Sequence, residues 1–160
     1  MHLHKKPPTK GSYLELSGKK YYGLSLTLSP AAYATILAHL EDLKRKPEDF
    51  DLIVTGDLGQ LGKEMLLELA RRDGLSLGGK LMDCGTTVFD LEKQDVHSGG
   101  SGCGCSAITL CSHFLDKLNK GKLKHILFCG TGALLSPTST QQGLPIPGVC
   151  HAVSIIGGRD

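Results

Sequence analysis

The sequence predicts an α/β fold in which a mainly parallel sheet is flanked by helices. Short apolar runs typical of buried strands alternate with longer segments whose apolar residues recur at helical spacing. Glycine-containing turns separate the two kinds of segment. With 160 residues and 40% hydrophobic content, the chain is long enough for one domain with a substantial core.

The first third of the chain predicts a lead-in, strands and a helix. Residues 1–12 are polar and are expected to be disordered or extended, which leaves residues 13–160 as a single domain. Loosely alternating apolar residues from Tyr13 to Leu28 predict one or two strands. Ser29-Pro30 predicts a helix start, with serine as N-cap and proline at the first helical position.

The middle of the chain continues the alternation. The apolar run at 50–55 predicts a buried parallel strand, and a helix is expected from about Leu61 to Arg72. The irregular stretch at 75–95 suggests a small hairpin. A helix with one apolar face follows the glycines at 99–104, and its predicted face consists of Ala107, Leu110, Cys111, Phe114, Leu115 and Leu118.

The last part predicts two strands joined by a loop. The strands are expected at Lys124–Cys129 and Val149–Ile156, with a loop at 130–137 between them, and the last strand could run antiparallel. Cys111 and Cys129 both lie in apolar patterns of the sequence, so both are predicted to be small core residues.

Three glycine-containing segments are expected to meet at one rim of the sheet. Asp57 and Gly130–Gly132 follow predicted strand ends, and the glycines at 99–104 precede a helix. Unpaired amides and the helix dipole favour an anion there, although a tight turn needing only glycine dihedrals explains the same residues. Asp57 could either bind a ligand or cap the next helix.

Several function classes are disfavoured by composition. The net charge is +2, and acidic and basic residues are mixed along the chain. The sequence has no run of basic residues interleaved with aromatic residues, so it gives no sign of nucleic-acid binding. No signal peptide or membrane-spanning segment is expected, and the six cysteines are expected to be reduced thiols. The C-x-C spacing of Cys103 and Cys105 is not a zinc pattern, so neither a metal nor a cofactor is predicted. No cysteine–histidine arrangement can be asserted from position.

Several motifs, in order, resemble the stage V sporulation protein AD family. They are Asp49-Phe-Asp-Leu-Ile-Val-Thr-Gly-Asp-Leu-Gly59, Asp83-Cys-Gly85, Gly99-Gly-Ser-Gly-Cys-Gly-Cys-Ser-Ala107, Gly130-Thr-Gly-Ala-Leu-Leu-Ser-Pro137, Gln141-Gln142 and Ile146-Pro-Gly-Val-Cys-His-Ala-Val153. The resemblance covers the C-terminal half of that family's usual length. It implies a thiolase-like fold, of which this chain is one half. It also implies a forespore or spore protein, peripheral to the inner membrane, that binds dipicolinic acid and works with other proteins of the same spore transport system.

The resemblance also implies that the chain is not an enzyme. Condensing enzymes of the superfamily carry a histidine just after the strand matching 51–55 and an asparagine at the start of the loop matching 101–105, and this sequence has neither. The expected ligand-binding residues are Asp57, Gly100, Ser101, Gly102, Cys103, Gly104, Cys105 and Thr131. The alternatives are an acyltransferase or condensing enzyme of the ketoacyl-synthase superfamily, with Cys103 or Cys105 as nucleophile, and a purely structural subunit.

The resemblance to only half of a two-half fold predicts a partner. A lone half would expose the apolar face that the other half covers. The expectation is a homodimer or a partner chain that supplies the N-terminal half.

Overall fold

The computed structural model describes residues 14–16, 19–21, 25–99, 102–133, 136–143 and 147–158, so the predicted lead-in at 1–12 lies outside the described residues. The helices and strands are β1 (Leu14–Leu16), β2 (Lys19–Tyr21), α1 (Ser25–Asp42), β3 (Leu52–Thr55), α2 (Gly59–Arg72), β4 (Leu81–Asp83), α3 (Cys84–Val88), α4 (Cys105–Thr109), α5 (Leu115–Asn119), β5 (His125–Ala133), α6 (Pro137–Gln141) and β6 (Gly148–Ile156). A π-helical turn at Leu110–Phe114 joins α4 to α5. We call these three segments together the central helix.

The main sheet has four strands in the order β4-β3-β5-β6. Strand β3 is parallel to both of its neighbours, and Leu52 lies opposite Ile126 of β5. Strand β6 is antiparallel to β5, with His125 opposite Ile156. Strands β1 and β2 form a separate antiparallel pair. The structure therefore confirms the α/β class, the mainly parallel sheet and the antiparallel last strand.

Helices cover both faces of the sheet and enclose two cores. On one face, Ile36 of α1 and Leu66 of α2 are fully buried with Ile53 of β3. On the other face, Phe114 of the central helix is fully buried in the same core as Val54 of β3. Each such side chain contributes about 1.5–3 kcal/mol by leaving water. Among the described helices, none has the length and apolar character needed to cross a membrane.

A buried tyrosine joins α1 to the end of α2. The hydroxyl of Tyr33 donates a hydrogen bond of 2.6 Å to the carboxylate of Asp73, the residue that ends α2. Burial first, and then this hydrogen bond, raise the pKa of Tyr33 to about 12.

Helix α1 begins earlier than the sequence predicts. The one or two strands predicted between Tyr13 and Leu28 are confirmed as β1 and β2. Because α1 starts at Ser25, the extension of strand to Leu28 and the N-cap at Ser29 are wrong. The reason is a tertiary contact, because the buried Ser29 hydroxyl donates a hydrogen bond of 2.9 Å to the carbonyl of Gly62 in α2. Pro30 lies inside the helix and not at its predicted first position, and packing against α2 outweighs the cost of proline in a helix interior.

Two further segments differ from their predictions. The stretch at 75–95 contains no hairpin, since Leu81–Asp83 pairs parallel with β3 and leads directly into α3. The predicted loop at Gly130–Gly132 is instead part of β5, because β6 pairs with it as far as Ala133. A partner strand supplies the ladder hydrogen bonds that offset the weak strand preference of glycine.

The central helix turns most of its predicted apolar face inward. Phe114 and Leu118 are buried, and Leu110 and Leu115 pack partly buried against the same core. Ala107 and Cys111 are exposed, so the prediction is wrong at these two positions.

The buried residues of the central helix are Cys105, Thr109, Phe114 and Leu118, spaced by four, five and four residues. The step of five is the π-helical turn, which accommodates one extra residue. Cys111 is consequently exposed, so its predicted core position is wrong, whereas the predicted burial of Cys129 is confirmed.

Candidate functional site

The candidate site lies at the rim where β3, β4 and β5 end. Parallel strands present their carboxyl ends at one edge, and ligands of α/β sheets bind in the crevice beyond them. The segment at 56–59 follows β3, Asp83 ends β4, and Thr131 lies near the end of β5. The start of the central helix approaches the same place, since a Cβ added at Gly56 would lie 3.5 Å from the Cβ of Ser106. The predicted convergence of the three glycine-containing segments is confirmed for their described residues.

The Asp83 carboxylate holds the segments of this rim together by hydrogen bonds. Its side chain is fully buried, and one carboxylate oxygen accepts hydrogen bonds from the Thr55 hydroxyl at 2.7 Å and the Leu58 amide at 2.9 Å. The other oxygen accepts from the amides of Gly59 at 3.0 Å and Thr86 at 3.3 Å. A carboxylate with four donors can stay buried because both oxygens are satisfied. Asp83 thereby fixes the starts of α2 and α3 relative to β3.

Asp57 forms a reciprocal contact with Thr131. The Thr131 hydroxyl donates to the Asp57 carboxylate at 3.1 Å and accepts from the Asp57 amide at 3.2 Å. Burial raises the pKa of Asp57, the hydrogen bond from Thr131 opposes this, and the nearby charge of Asp83 adds to it. The helix-capping alternative for Asp57 is wrong, because the amides at the start of α2 bond to Asp83 instead.

Close backbone approach explains two glycines of the rim. A Cβ at Gly56 would lie 2.7 Å from the Thr131 hydroxyl oxygen and 3.0 Å from the Thr131 nitrogen. Gly59 has a φ of +68°, and a Cβ there would lie 2.9 Å from the carbonyl oxygen of Ser98. That same carbonyl accepts a hydrogen bond of 2.7 Å from the Gln60 amide, which holds the segment before the central helix against α2.

A small apolar cavity opens beside the start of the central helix. Its volume is about 260 Å³, and it is lined by Val88, Phe89, Gly102, Gly104, Cys105 and Ile108. Ile108 and Val88 are 64% and 47% exposed, so their apolar surfaces are free to contact a ligand. The Cys105 amide donates to the carbonyl of Gly102 at 3.0 Å. An anion at this helix start would therefore use the other first-turn amides.

The buried thiols beside the rim are poor nucleophiles. Burial first, and then the charge of Asp83, raise the pKa of Cys84 to about 12. Burial also raises the pKa of Cys105, with the charges of Asp57 and Asp83 as further causes. A thiolate at either position is disfavoured at neutral pH. Cys103 is exposed and is not among the residues that line the cavity.

The structure places the described site residues in two groups, and neither Asp57 nor Thr131 lines the cavity. Asp57 and Thr131 contact each other, and Gly102, Gly104 and Cys105 line the cavity. Gly100 and Ser101 lie outside the described residues. Sequence reasoning noted Asp83 only as part of a motif and missed its role, although an aspartate at the end of a short apolar stretch is a usable signal. It also missed the apolar walls of the cavity. Ile108 could have indicated them, because it is an apolar residue outside the apolar face predicted for the helix.

Two comparisons with known proteins bear on this chain. A sequence profile described as "Stage V sporulation protein AD (SpoVAD)" matches residues 8–156. The chain is similar to "Stage V sporulation protein AD" of Bacillus subtilis (strain 168), with 40% identity over 145 residues. That alignment covers 91% of this chain and 43% of the relative, so the chain spans less than half of the relative's length.

Proposed function

This chain belongs to the stage V sporulation protein AD family, and we propose that it binds dipicolinic acid at the rim without catalysing a reaction. On this proposal it is part of the machinery that moves dipicolinic acid across the spore inner membrane. Its partners are other proteins of that system, and it is a forespore or spore protein that is peripheral to the inner membrane.

One observation carries the proposal, namely that the rim combines an apolar cavity with the first turn of a helix. Dipicolinate is a small planar aromatic ring that bears two carboxylates. The walls formed by Val88, Phe89 and Ile108 suit the ring, and the first-turn amides suit a carboxylate. The volume of about 260 Å³ lies near the lower end for ligand sites, which favours a small ligand.

Asp57 makes binding depend on protons. An ionised carboxylate at the rim repels a dianion, and burial already raises the pKa of Asp57. A bound dianion raises that pKa further, because a nearby negative charge favours the protonated form. Binding is therefore accompanied by proton uptake.

The acyl-condensing alternative receives less support. Burial first, and then the charges of Asp57 and Asp83, raise the pKa of Cys105, and the hydrogen bond with Thr109 opposes them. A nucleophilic cysteine instead requires a lowered pKa or a neighbouring base. The raised pKa of Cys105 supports a binding role over nucleophilic catalysis.

We also propose that the chain is one half of a thiolase-like arrangement and associates with a second half. Strand β6 is an edge strand, and its side chains Val149, Val153 and Ile156 are 43%, 51% and 56% exposed. Large apolar residues on an edge strand favour association. Light scattering should give twice the mass of the chain or more, and a monomer at micromolar concentration would contradict this proposal.

Calorimetry with dipicolinate on the full chain tests the proposed site. Gly104 has a negative φ of −91°, and a Cβ there meets only Ile108, at 3.6 Å. Gly104→Val therefore fills the cavity without backbone strain and should weaken binding at least about tenfold, or about 1.4 kcal/mol. Gly78→Val is the matched control, since a Cβ at Gly78 meets nothing within 4 Å and the residue lies outside the cavity lining.

Two results would overturn the proposal. One is the absence of dipicolinate binding by the wild-type chain. The other is equal affinity of wild type and Gly104→Val. Isophthalate, which keeps both carboxylates but lacks the ring nitrogen, serves as a second probe and should bind if charge and shape dominate.

A further inference from the structure

Two thiols on adjacent strands hydrogen-bond each other away from the cavity. Cys129 lies opposite Ala152, and Thr131 lies opposite Cys150, so the two cysteines are diagonal neighbours on one face of the β5–β6 pair. Both pack in the core under α1. A side-chain hydrogen bond connects the two sulfur atoms.

The two thiols have different surroundings. Cys129 is fully buried, whereas Cys150 is partly exposed on the edge strand. The Thr35 hydroxyl lies 3.2 Å from the Cys150 carbonyl oxygen and also hydrogen-bonds the Cys150 sulfur. The hydrogen bonds from Cys129 and then Thr35 lower the pKa of Cys150, and the same pairing with Cys150 raises the pKa of Cys129. Of the two, the partly exposed sulfur is therefore the one that ionises more easily, and the buried sulfur is the one that keeps its proton.

We propose that Cys150 and Cys129 form a redox pair that a peroxide oxidises to a disulfide linking β6 to β5. The Cys150 thiolate attacks one peroxide oxygen, and the O–O bond breaks to release hydroxide and leave a sulfenic acid. The Cys129 sulfur then attacks the Cys150 sulfur and displaces hydroxide, which leaves as water with the proton from Cys129. In total, two thiols and one hydrogen peroxide give one disulfide and two waters.

A disulfide between the two cysteines requires a movement of the strands. Diagonal residues on antiparallel strands have Cα atoms about 7–8 Å apart, and a relaxed disulfide needs less than about 7 Å. Among the described strands, β6 pairs with β5 alone, so β6 is the strand that would move toward Cys129. A disulfide formed in this way is strained, and strained disulfides are readily reduced.

The pair is tested by exposing the reduced full chain to hydrogen peroxide, blocking the remaining thiols and mapping peptides by mass spectrometry. The expected product joins the peptides of Cys129 and Cys150 and is reversed by dithiothreitol. The same chain supplies a matched control, because Cys84 and Cys105 are also neighbouring buried thiols but both have raised pKa values. They should stay reduced under the same conditions.

Two variants separate the steps. In Cys129→Ala, the sulfenic acid at Cys150 should accumulate and react with dimedone, because the second thiol is missing. Thr35→Val should slow the oxidation several-fold by removing the hydrogen bond to the thiolate. The proposal fails if wild type leaves both thiols free while other cysteines oxidise, or if its sulfenic acid lasts as long as in Cys129→Ala. If Cys129→Ala does not fold, as judged by circular dichroism, the wild-type peptide map decides.

Discussion

Replacement of Asp83 by asparagine should destabilise the fold more than any other loss of a single charge at the rim. The Asp83 carboxylate uses both oxygens, each accepting from two donors. Asparagine keeps the size of the side chain but replaces one oxygen with an NH₂ group. Whichever way the amide is oriented, an NH₂ group faces two donors inside a fully buried site.

The magnitude follows from the lost hydrogen bonds. Each hydrogen bond to a charged group contributes about 1.5–3 kcal/mol, and at least two are lost. We therefore expect the free energy of unfolding of Asp83→Asn to fall by about 3–6 kcal/mol. The loss should be local first, because either the Leu58 amide or the amides of Gly59 and Thr86 then lack their acceptor. The rim should therefore become sensitive to protease.

Urea unfolding followed by circular dichroism measures this, with Asp51→Asn as the control. Asp51 is exposed, and one of its oxygens accepts from both the Lys124 and His125 amides, at 2.6 and 2.9 Å. An asparagine oxygen can keep both bonds, so this change should cost about 1 kcal/mol or less. A loss at Asp83→Asn no larger than that at Asp51→Asn would refute the reasoning.

Three other substitutions test separate contacts. Tyr33→Phe removes the hydroxyl that donates to Asp73 and should lower the free energy of unfolding by about 1 kcal/mol in urea titrations. An unchanged free energy of unfolding would contradict a net stabilising contribution of this hydrogen bond. Gly56→Ala should cost about 1–3 kcal/mol because its Cβ meets a backbone nitrogen at 3.0 Å, while Gly78→Ala should not destabilise the fold. Because the pKa of Asp57 is raised in the folded state, this group stabilises the fold at pH values below its ordinary pKa, and that stability is lost as the pH rises through the raised pKa. Asp57→Asn should therefore raise the urea midpoint at neutral pH and also tighten dipicolinate binding; a lower midpoint would contradict this.

The sheet and its flanking helices could be predicted because each is marked by a periodic apolar pattern. Strand β3 and helix α2 lie close to their predicted positions, and the last strand is antiparallel as expected. Failures arose where a distant contact overrides a local signal. Ser29 reads as a helix cap, yet its hydroxyl bonds to Gly62, a residue 33 positions away. A rule based on neighbouring residues cannot identify a hydrogen-bond partner so far along the chain.

The candidate site was partly predictable for a related reason. Glycine segments after strands pointed to the rim, and Asp57 was found because it follows a strand directly. Asp83 was missed as a buried anchor because its strand has only three residues, too few to show a period. Its partners Thr55, Leu58 and Thr86 come from three different segments, so only the folded chain reveals the cluster.

The π-helical turn at Leu110–Phe114 has a consequence for tolerance of length change. It holds one residue more than a regular helix needs between the inward positions Thr109 and Phe114. Deleting the outward-facing Cys111 would restore ordinary winding while both halves of the helix kept their orientation toward the sheet. This turn is thus a place where relatives can differ by a single-residue deletion without disturbing either the core or the cavity.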